Sequence, residues 1–567
     1  MNRWAPVTRR PGEAGSAAGR AGLIAVGASV ALTFTVAVAG PSVMEPVLPG
    51  RSGQPPWALD AHLSPYLAVA LTAAGLAAGT VGLVLVLRAV RGGWSVPTRA
   101  ILVAGLLAAA ALTLVPPFGS SDQLSYAAYG RMLVTGHNPY VMTPAQLAAL
   151  GDPVARAVQD WFTTPSVYGP LATGMQGLAS LIGGTSARLT VFVLDLVNLA
   201  AFAAIALLLH RMTRSDQARQ LRAALLWTAN PLLLMLLVAG AHVDGQAAFF
   251  GVAAVAVMFG PWARGARGGG QPPRDRGDSG GSSPLASRAA AAGILVGLGF
   301  AVKVSDVLVG LGLAIALVIW LRPAWRRLLP VLAALGAGFA ATAGAALAIG
   351  GSAMLRQLSR ESDMVSIGSP WRVIRTVIHL AVTGTTATDI VKFGATALAV
   401  VLAVLLIRGL PGVLPGRDRD PGQGASPEIT GAGYPAAGAS VVFALVLAWL
   451  FAWPYVLPWY DALAWALLPL VPLASAAGAG VVEGVCWLLL ARTAALGIGY
   501  LPARQTDAAL PPGLSWLQPV LRHGVTPVIL AGTTVLLVVL MLRSRPRRRA
   551  ATPGGTMGPQ PTATKAL

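Results

Sequence analysis

Fourteen apolar stretches, most of them long enough to cross a lipid bilayer or nearly so, constrain this chain more than anything else in it. They lie near residues 21–40, 64–87, 100–115, 187–209, 222–238, 246–260, 289–303, 306–321, 328–349, 392–408, 438–452, 461–477, 480–499 and 525–543. An α-helix rises about 1.5 Å per residue, so roughly 20 residues span a hydrocarbon core of ~30 Å. Lipid offers no partner to a backbone N–H or C=O, so runs of this kind cross as helices. Several runs fall short of that length, and broken or re-entrant helices are expected, above all around Lys303. The expected fold is an all-α polytopic membrane protein with about 13–14 transmembrane helices and a large first outer loop. Its membrane domain covers 21–543, between an N-terminal tail at 1–20 and a basic tail at 544–567.

Composition excludes the main alternatives. Charged residues make up 11% of the chain, against roughly 25% in soluble domains. The net charge of +20 does not point to nucleic acid, because the arginines cluster between apolar runs and no basic face alternates with stacking aromatics. Examples are Arg211, Arg214, Arg219 and Arg222, then Arg545, Arg547, Arg548 and Arg549. The single cysteine, Cys486, lies inside an apolar run and can form neither an internal disulfide nor a zinc cluster. The first apolar run is longer than the 7–15 residues usual in a cleaved signal and reads as an uncleaved first span.

With the N-terminus in the cytoplasm, fourteen crossings put most of the 41 Lys and Arg residues on the cytoplasmic side, as the positive-inside rule requires. This N-in, C-in topology fits the cell (plasma) membrane. It makes 261–288 and 409–437 cytoplasmic linkers, and it makes 116–186 and 351–391 long outer loops. Most of the unusual polar residues then collect on one side.

The first outer loop carries Asp122, Tyr126 and Tyr129 at spacings that place them on one helix face. A carboxylate among aromatic rings suits sugar binding and deprotonation of a hydroxyl; an Asp capping the following helix is the competing reading. Tyr168-Gly169-Pro170 is a rigid turn at the mouth of the next apolar segment, or an interfacial anchor. His242 and Asp244 share an outer turn, either as polar contacts to substrate or as a solvated turn. Lys303 and Asp306 interrupt an apolar stretch at its midpoint, where an ionisable group costs roughly 2.5–3.5 kcal/mol and often marks a substrate path; a self-satisfying i,i+3 pair is the alternative. Arg372 and Arg375, in the second outer loop, run against the positive-inside trend and call for an anionic partner, either a phosphate or lipid headgroups. Trp459 and Tyr460 belong to an aromatic, proline-rich outer turn.

Taken together, Ser121-Asp122-Gln-Leu-Ser-Tyr126, Tyr129-Gly130-Arg131, Gly136-His-Asn138-Pro139-Tyr140, Tyr168-Gly-Pro170, His242-Val-Asp244, Lys303 and Pro458-Trp459-Tyr460 resemble the GT-C superfamily of membrane glycosyltransferases. The resemblance is closest to the actinobacterial polyprenyl-phosphate-mannose-dependent α-1,6-mannosyltransferases of lipomannan synthesis. It implies a GT-C-like fold and transfer of mannose from polyprenyl-phosphate mannose to a mannan or lipoglycan acceptor, by single-displacement inversion at the outer face. It also implies that Asp122 is the general base and that Lys303, Arg372 and Arg375 bind the lipid phosphate. Tyr126, Tyr129, Arg131, Asn138, Tyr140, Tyr168, His242, Asp244, Trp459 and Tyr460 would contact substrate. Partners would be the lipid-linked donor, the glycan acceptor and membrane lipids, with no nucleic acid, metal or other cofactor. A transporter or lipid-linked-sugar flippase, and the same scaffold acting on arabinose or glucose, are the competing readings.

Overall fold

A computed structural model describes residues 13–260, 284–413, 434–473, 476–503 and 510–544. The expected linkers at 261–288 and 409–437 and both expected tails therefore lie largely outside the described residues. Among the described residues the chain is helical, and no strand forms beyond an isolated bridge between Ser42 and Glu45. Among the described residues nine helices are long and apolar enough to cross a membrane: Gly15–Ala39, Pro65–Arg91, Ala187–Met212, Gln217–Val238, Val304–Leu321, Trp325–Ser362, Gly384–Gly409, Gly478–Ile498 and Leu517–Arg543. Four shorter apolar helices join them, Thr98–Thr113, Asp244–Phe259, Pro284–Phe300 and Gly438–Ala452. Large apolar side chains such as Ile24, Leu107, Leu207 and Val528 stand exposed on the outer faces of these helices. Their exposure suits a lipid solvent and would be a liability in water.

The twelfth run differs from expectation. Residues 461–477 do not form a membrane-length helix. They make a short 3₁₀ turn, Pro458–Asp461, a six-residue helix, Ala462–Leu467, and a second 3₁₀ turn, Leu468–Leu470. This broken segment is buried from Ala462 to Leu470, so its irregular backbone meets protein rather than lipid. Within it, Asp461 is fully buried, forms an ion pair with Arg492 and accepts a hydrogen bond from Thr493 Oγ1 at 2.7 Å.

Both long loops contain helices of their own. Segment 116–186 folds as Asp122–Val134, Pro144–Ala149 and Pro170–Gly183. The Trp325–Ser362 helix bends at Gly351, whose φ of +62° suits glycine, and runs on well into the segment expected to be loop. The two loop regions pack on each other, with Gln357 Nε2 donating to the Tyr140 carbonyl at 3.0 Å and Tyr140 against Met354.

Lys303 sits at the expected break. Helix Pro284–Phe300 ends, Lys303 is extended, and a 3₁₀ turn at Val304–Asp306 starts the next helix. The freed carbonyls find partners in the first loop: Gly169 N–H donates to Val302 O at 3.0 Å, and Leu171 N–H donates to Ala301 O at 2.9 Å. A side chain at 169 would meet Ala301 O about 2.2 Å away, so glycine is required for this approach. The Tyr168-Gly169-Pro170 turn thus fixes the loop onto the broken helix.

Candidate active site

Asp122 is the first residue of its helix and is 8% exposed. Its carboxylate does not cap that helix. Oδ1 accepts a hydrogen bond from Trp161 Nε1 at 3.1 Å, and Oδ2 lies 3.7 Å from His242 Nδ1, beyond hydrogen-bond reach. Burial first, and the nearby Asp160 carboxylate second, push its pKa up to about 7, against lowering by the Trp161 hydrogen bond and by Lys303. His242 is 1% exposed and stacks on Trp459 with ring centroids 3.4 Å apart. Burial, then the Lys303 charge, hold its pKa well below the usual range, so it faces Asp122 as neutral imidazole. Among the described residues no Lys or Arg pairs with Asp122.

Two positions that shape this arrangement have backbones that L-residues rarely adopt: Trp161 at φ +62° and Ala241, next to His242, at φ +56°. Such positions cost on the order of 1–3 kcal/mol each and persist where the surroundings enforce them, commonly at active sites.

Asp122 borders two cavities. The larger, about 340 Å³, is also lined by Asp160, Trp161, Trp459, Tyr500 and Arg522, with residues 364–368 along one side. The smaller, about 50 Å³, is lined by Tyr126, Tyr129, Tyr168, Tyr455, Tyr460 and Glu361 as well as Asp122. Tyr126 and Tyr168 meet edge to face at 5.1 Å, with their hydroxyls 3.3 Å apart. The spacing at 122, 126 and 129 does place all three side chains on one wall.

Other residues singled out in the sequence stand elsewhere. Lys303 does not pair with Asp306; its Nζ donates to Asp244 Oδ1 at 2.7 Å and lies 3.4 Å from the Tyr460 ring centre. This pair borders a separate 20 Å³ void shared with Asp306. Arg131 is bound to Asp152 at 2.7 Å. Asn138 Oδ1 accepts from Tyr140 N–H, and Tyr140 OH meets Thr173 Oγ1 at 3.1 Å, so these two brace the loop and line neither cavity. Arg372 and Arg375 lie on the amphipathic helix Pro370–Ile378, which buries no residue, and the structure does not bring them to Asp122. Sequence reasoning gave no site role to Asp160, Trp161, Glu361, Tyr455, Tyr500 or Arg522. Arg522 carried a signal, being an arginine at the mouth of the last apolar run.

The profile of the family described as "Alpha-(1->6)-mannopyranosyltransferase, N-terminal domain" matches residues 21–322, just over half of the chain. The chain belongs to this family. Asp122, His242, Asp244 and Lys303 fall inside the match, whereas Trp459 and Arg522 lie beyond it. An alpha-(1→6)-mannopyranosyltransferase of Mycobacterium tuberculosis is 33% identical over 150 residues, 26% of this chain and 25% of that protein. A probable one of Mycolicibacterium smegmatis is 35% identical over 133 residues, 23% of this chain and 24% of that protein. The aligned part thus spans about a quarter of either curated relative. Among solved structures, the apo oligosaccharyltransferase of Archaeoglobus fulgidus is matched over 77% of this chain and 56% of that chain, at 13% identity and TM-score 0.37. The archaeal oligosaccharyltransferase in complex with an inhibitory peptide and a dolichol-phosphate is matched over the same shares, at 14% identity and TM-score 0.34.

Proposed function

We propose that this protein transfers a mannosyl residue from polyprenyl-phosphate mannose to a mannan or lipoglycan acceptor, forming an α-1,6 linkage at the outer face of the plasma membrane. The scaffold is GT-C-like, with both termini in the cytoplasm. Membership of the mannopyranosyltransferase family supports the reaction class. The observation that carries the mechanism is Asp122, a buried carboxylate without a cationic partner, lining a cavity of about 340 Å³.

In the reaction, Asp122 takes the proton of the acceptor 6-hydroxyl. That oxygen attacks the anomeric carbon from the face opposite the phosphate, the new C–O bond forms, and the bond to phosphate breaks with inversion. Polyprenyl phosphate leaves as an anion, so the step as written needs neither a general acid nor a metal. A base with a pKa near 7 suits this task, because about half of it is ionised at neutral pH and the carboxylate is still basic enough to accept a proton. Trp161 orients the carboxylate through its hydrogen bond, and Trp459 holds neutral His242 beside it. The tyrosine-lined cavity on the other side of Asp122 supplies apolar faces and hydroxyls for a sugar ring. Arg372 and Arg375 gather anionic lipid headgroups at the surface.

Membranes containing the protein, given polyprenyl-phosphate [¹⁴C]mannose and a mannan oligosaccharide, are expected to yield a product extended through an α-1,6 bond. GDP-mannose in place of the lipid donor should give none directly. Movement of the intact lipid-linked sugar across the bilayer without bond formation, or efficient transfer of arabinose or glucose in preference to mannose, would overturn this reading.

A further inference from the structure

Arg522 is the cation of the Asp122 cavity that the sequence did not single out. It is 5% exposed and sits in a π-helical turn, Leu521–Val525, within the final helix. Its Nε donates to the Gly499 carbonyl at 2.7 Å, and its guanidinium lies 4.5 Å from the Tyr500 ring centre. Those two contacts fix the plane of the group. They leave Nη2 buried with no hydrogen-bond partner; among the described residues no carboxylate forms an ion pair with the side chain, although Asp160 lines the same cavity. A buried guanidinium with an unused donor is costly on its own, and it suits a bidentate oxyanion such as a phosphate. By contrast, Lys303 is already held by Asp244 and Tyr460.

Beside this cavity lies an apolar groove of about 380 Å³, lined by Pro370, Trp371, Ile374, Phe451, Leu530 and Val535 among others. The linings of the two spaces adjoin in three places. Val456 lines both; Thr526 of the cavity and Leu530 of the groove are one turn apart on the final helix; and Gly368 of the cavity is followed by Ser369 of the groove. The groove runs along that helix, whose Val528, Val535 and Leu536 are exposed on its outer face. A cationic anchor at one end and an apolar channel leading toward lipid match an amphiphile with a phosphate head and a hydrocarbon chain.

We propose that Arg522 binds the phosphate of the polyprenyl-linked donor and that this groove holds the isoprenoid units nearest that phosphate. This rests on the donor being a lipid-phosphate sugar, as in the reading above. It makes the amphipathic helix Pro370–Ile378 one wall of the donor's entrance, with Trp371 fixed there by its hydrogen bond to the Ala452 carbonyl at 2.7 Å.

The test compares wild type, Arg522→Gln, Arg522→Lys and Ala531→Trp, a substitution that fills the groove. Transfer is measured from a long-chain polyprenyl-phosphate mannose and from a two-isoprene analogue, and binding from radiolabelled polyprenyl phosphate that carries no sugar. Arg522→Gln should raise KM tenfold or more for both donors, leave acceptor KM unchanged, and weaken polyprenyl-phosphate binding to the same degree. Arg522→Lys should recover part of each loss. Ala531→Trp should raise KM for the long donor at least tenfold more than for the short one. Unchanged donor KM and unchanged binding in a monodisperse Arg522→Gln protein would overturn the phosphate site, as would equal competition by phosphatidic acid. Equal effects of Ala531→Trp on both donors would overturn the groove. Arg522-dependent binding of polyprenyl phosphate by a wild type that transfers no mannose would leave this site standing and remove the mannosyltransferase reading instead.

Discussion

Asp122 and Asp244 are both buried carboxylates near His242, and the chain treats them in opposite ways. Asp244 is held by Lys303 at 2.7 Å, and the Lys303 ammonium is further stabilised on the Tyr460 ring. Asp122 receives one indole N–H and no cation, and burial beside Asp160 pushes its pKa up to about 7. One carboxylate is committed to an ion pair that braces a broken helix, and the other is left able to take up a proton. The difference separates structure from chemistry within one cluster, because a reactive base needs an unmet proton affinity whereas a brace needs a satisfied charge.

The largest effect that would sharpen this contrast is on turnover. Asp122→Asn should keep the fold and lower kcat by roughly 10²- to 10⁴-fold, measured as mannosyl transfer in membranes. A rate within a few fold of wild type would give Asp122 the same structural standing as Asp244. Next comes stability. Lys303→Met leaves Asp244 buried without its partner, which should cost about 3–5 kcal/mol, seen as a lower unfolding temperature in detergent. The double variant Asp244→Asn/Lys303→Met should recover part of that loss. A smaller effect is expected from Trp161→Phe, which removes the hydrogen bond that favours the ionised form of Asp122. The loss of one charge-assisted bond, about 1.5–3 kcal/mol, should move the acid limb of the pH–rate profile to higher pH and lower the rate below neutrality. The smallest change should come from Arg372→Gln and Arg375→Gln. An interaction with headgroups worth about 1 kcal/mol each predicts less than roughly fivefold on transfer in anionic vesicles.

The membrane fold was legible because hydrophobic length is a one-dimensional property: thirteen of the fourteen apolar runs appear as helices. The exception, 461–477, is as apolar as the others, but its prolines and its buried Asp461–Arg492 pair break it. Apolar composition alone does not reveal whether a run faces lipid or protein. The Asp122, Tyr126 and Tyr129 wall was legible for a similar reason, since i, i+4 and i+7 fix a helix face without tertiary information. The Lys303 break was legible too, but its partner was not. Spacing favoured Asp306 three residues away, whereas the fold supplies Asp244 from 59 residues away.

Long-range partners account for the rest. Trp161 is 39 residues from Asp122, and Arg522 is about 400 residues from it in sequence. Each reaches the cavity only through the packing of the loop and the final helix. Arg131, Asn138 and Tyr140 have the polarity of substrate contacts, but their partners Asp152 and Thr173 and the Tyr140 backbone turn them to bracing the loop. Arg372 and Arg375 stand out in the sequence against the expected charge bias, yet their short helix buries no residue, whereas the buried Arg522 lines the cavity.

The pH dependence of kcat/KM for mannosyl transfer tests the central claim most directly. A base whose pKa is raised to about 7 is protonated and inactive below that value, so the rate should climb about tenfold per pH unit up to a limb near 7 and level off above it. The limb should vanish from the residual activity of Asp122→Asn. A wild-type profile with no limb within about one unit of 7, or a limb that survives in Asp122→Asn, would contradict the assignment of Asp122 as the base.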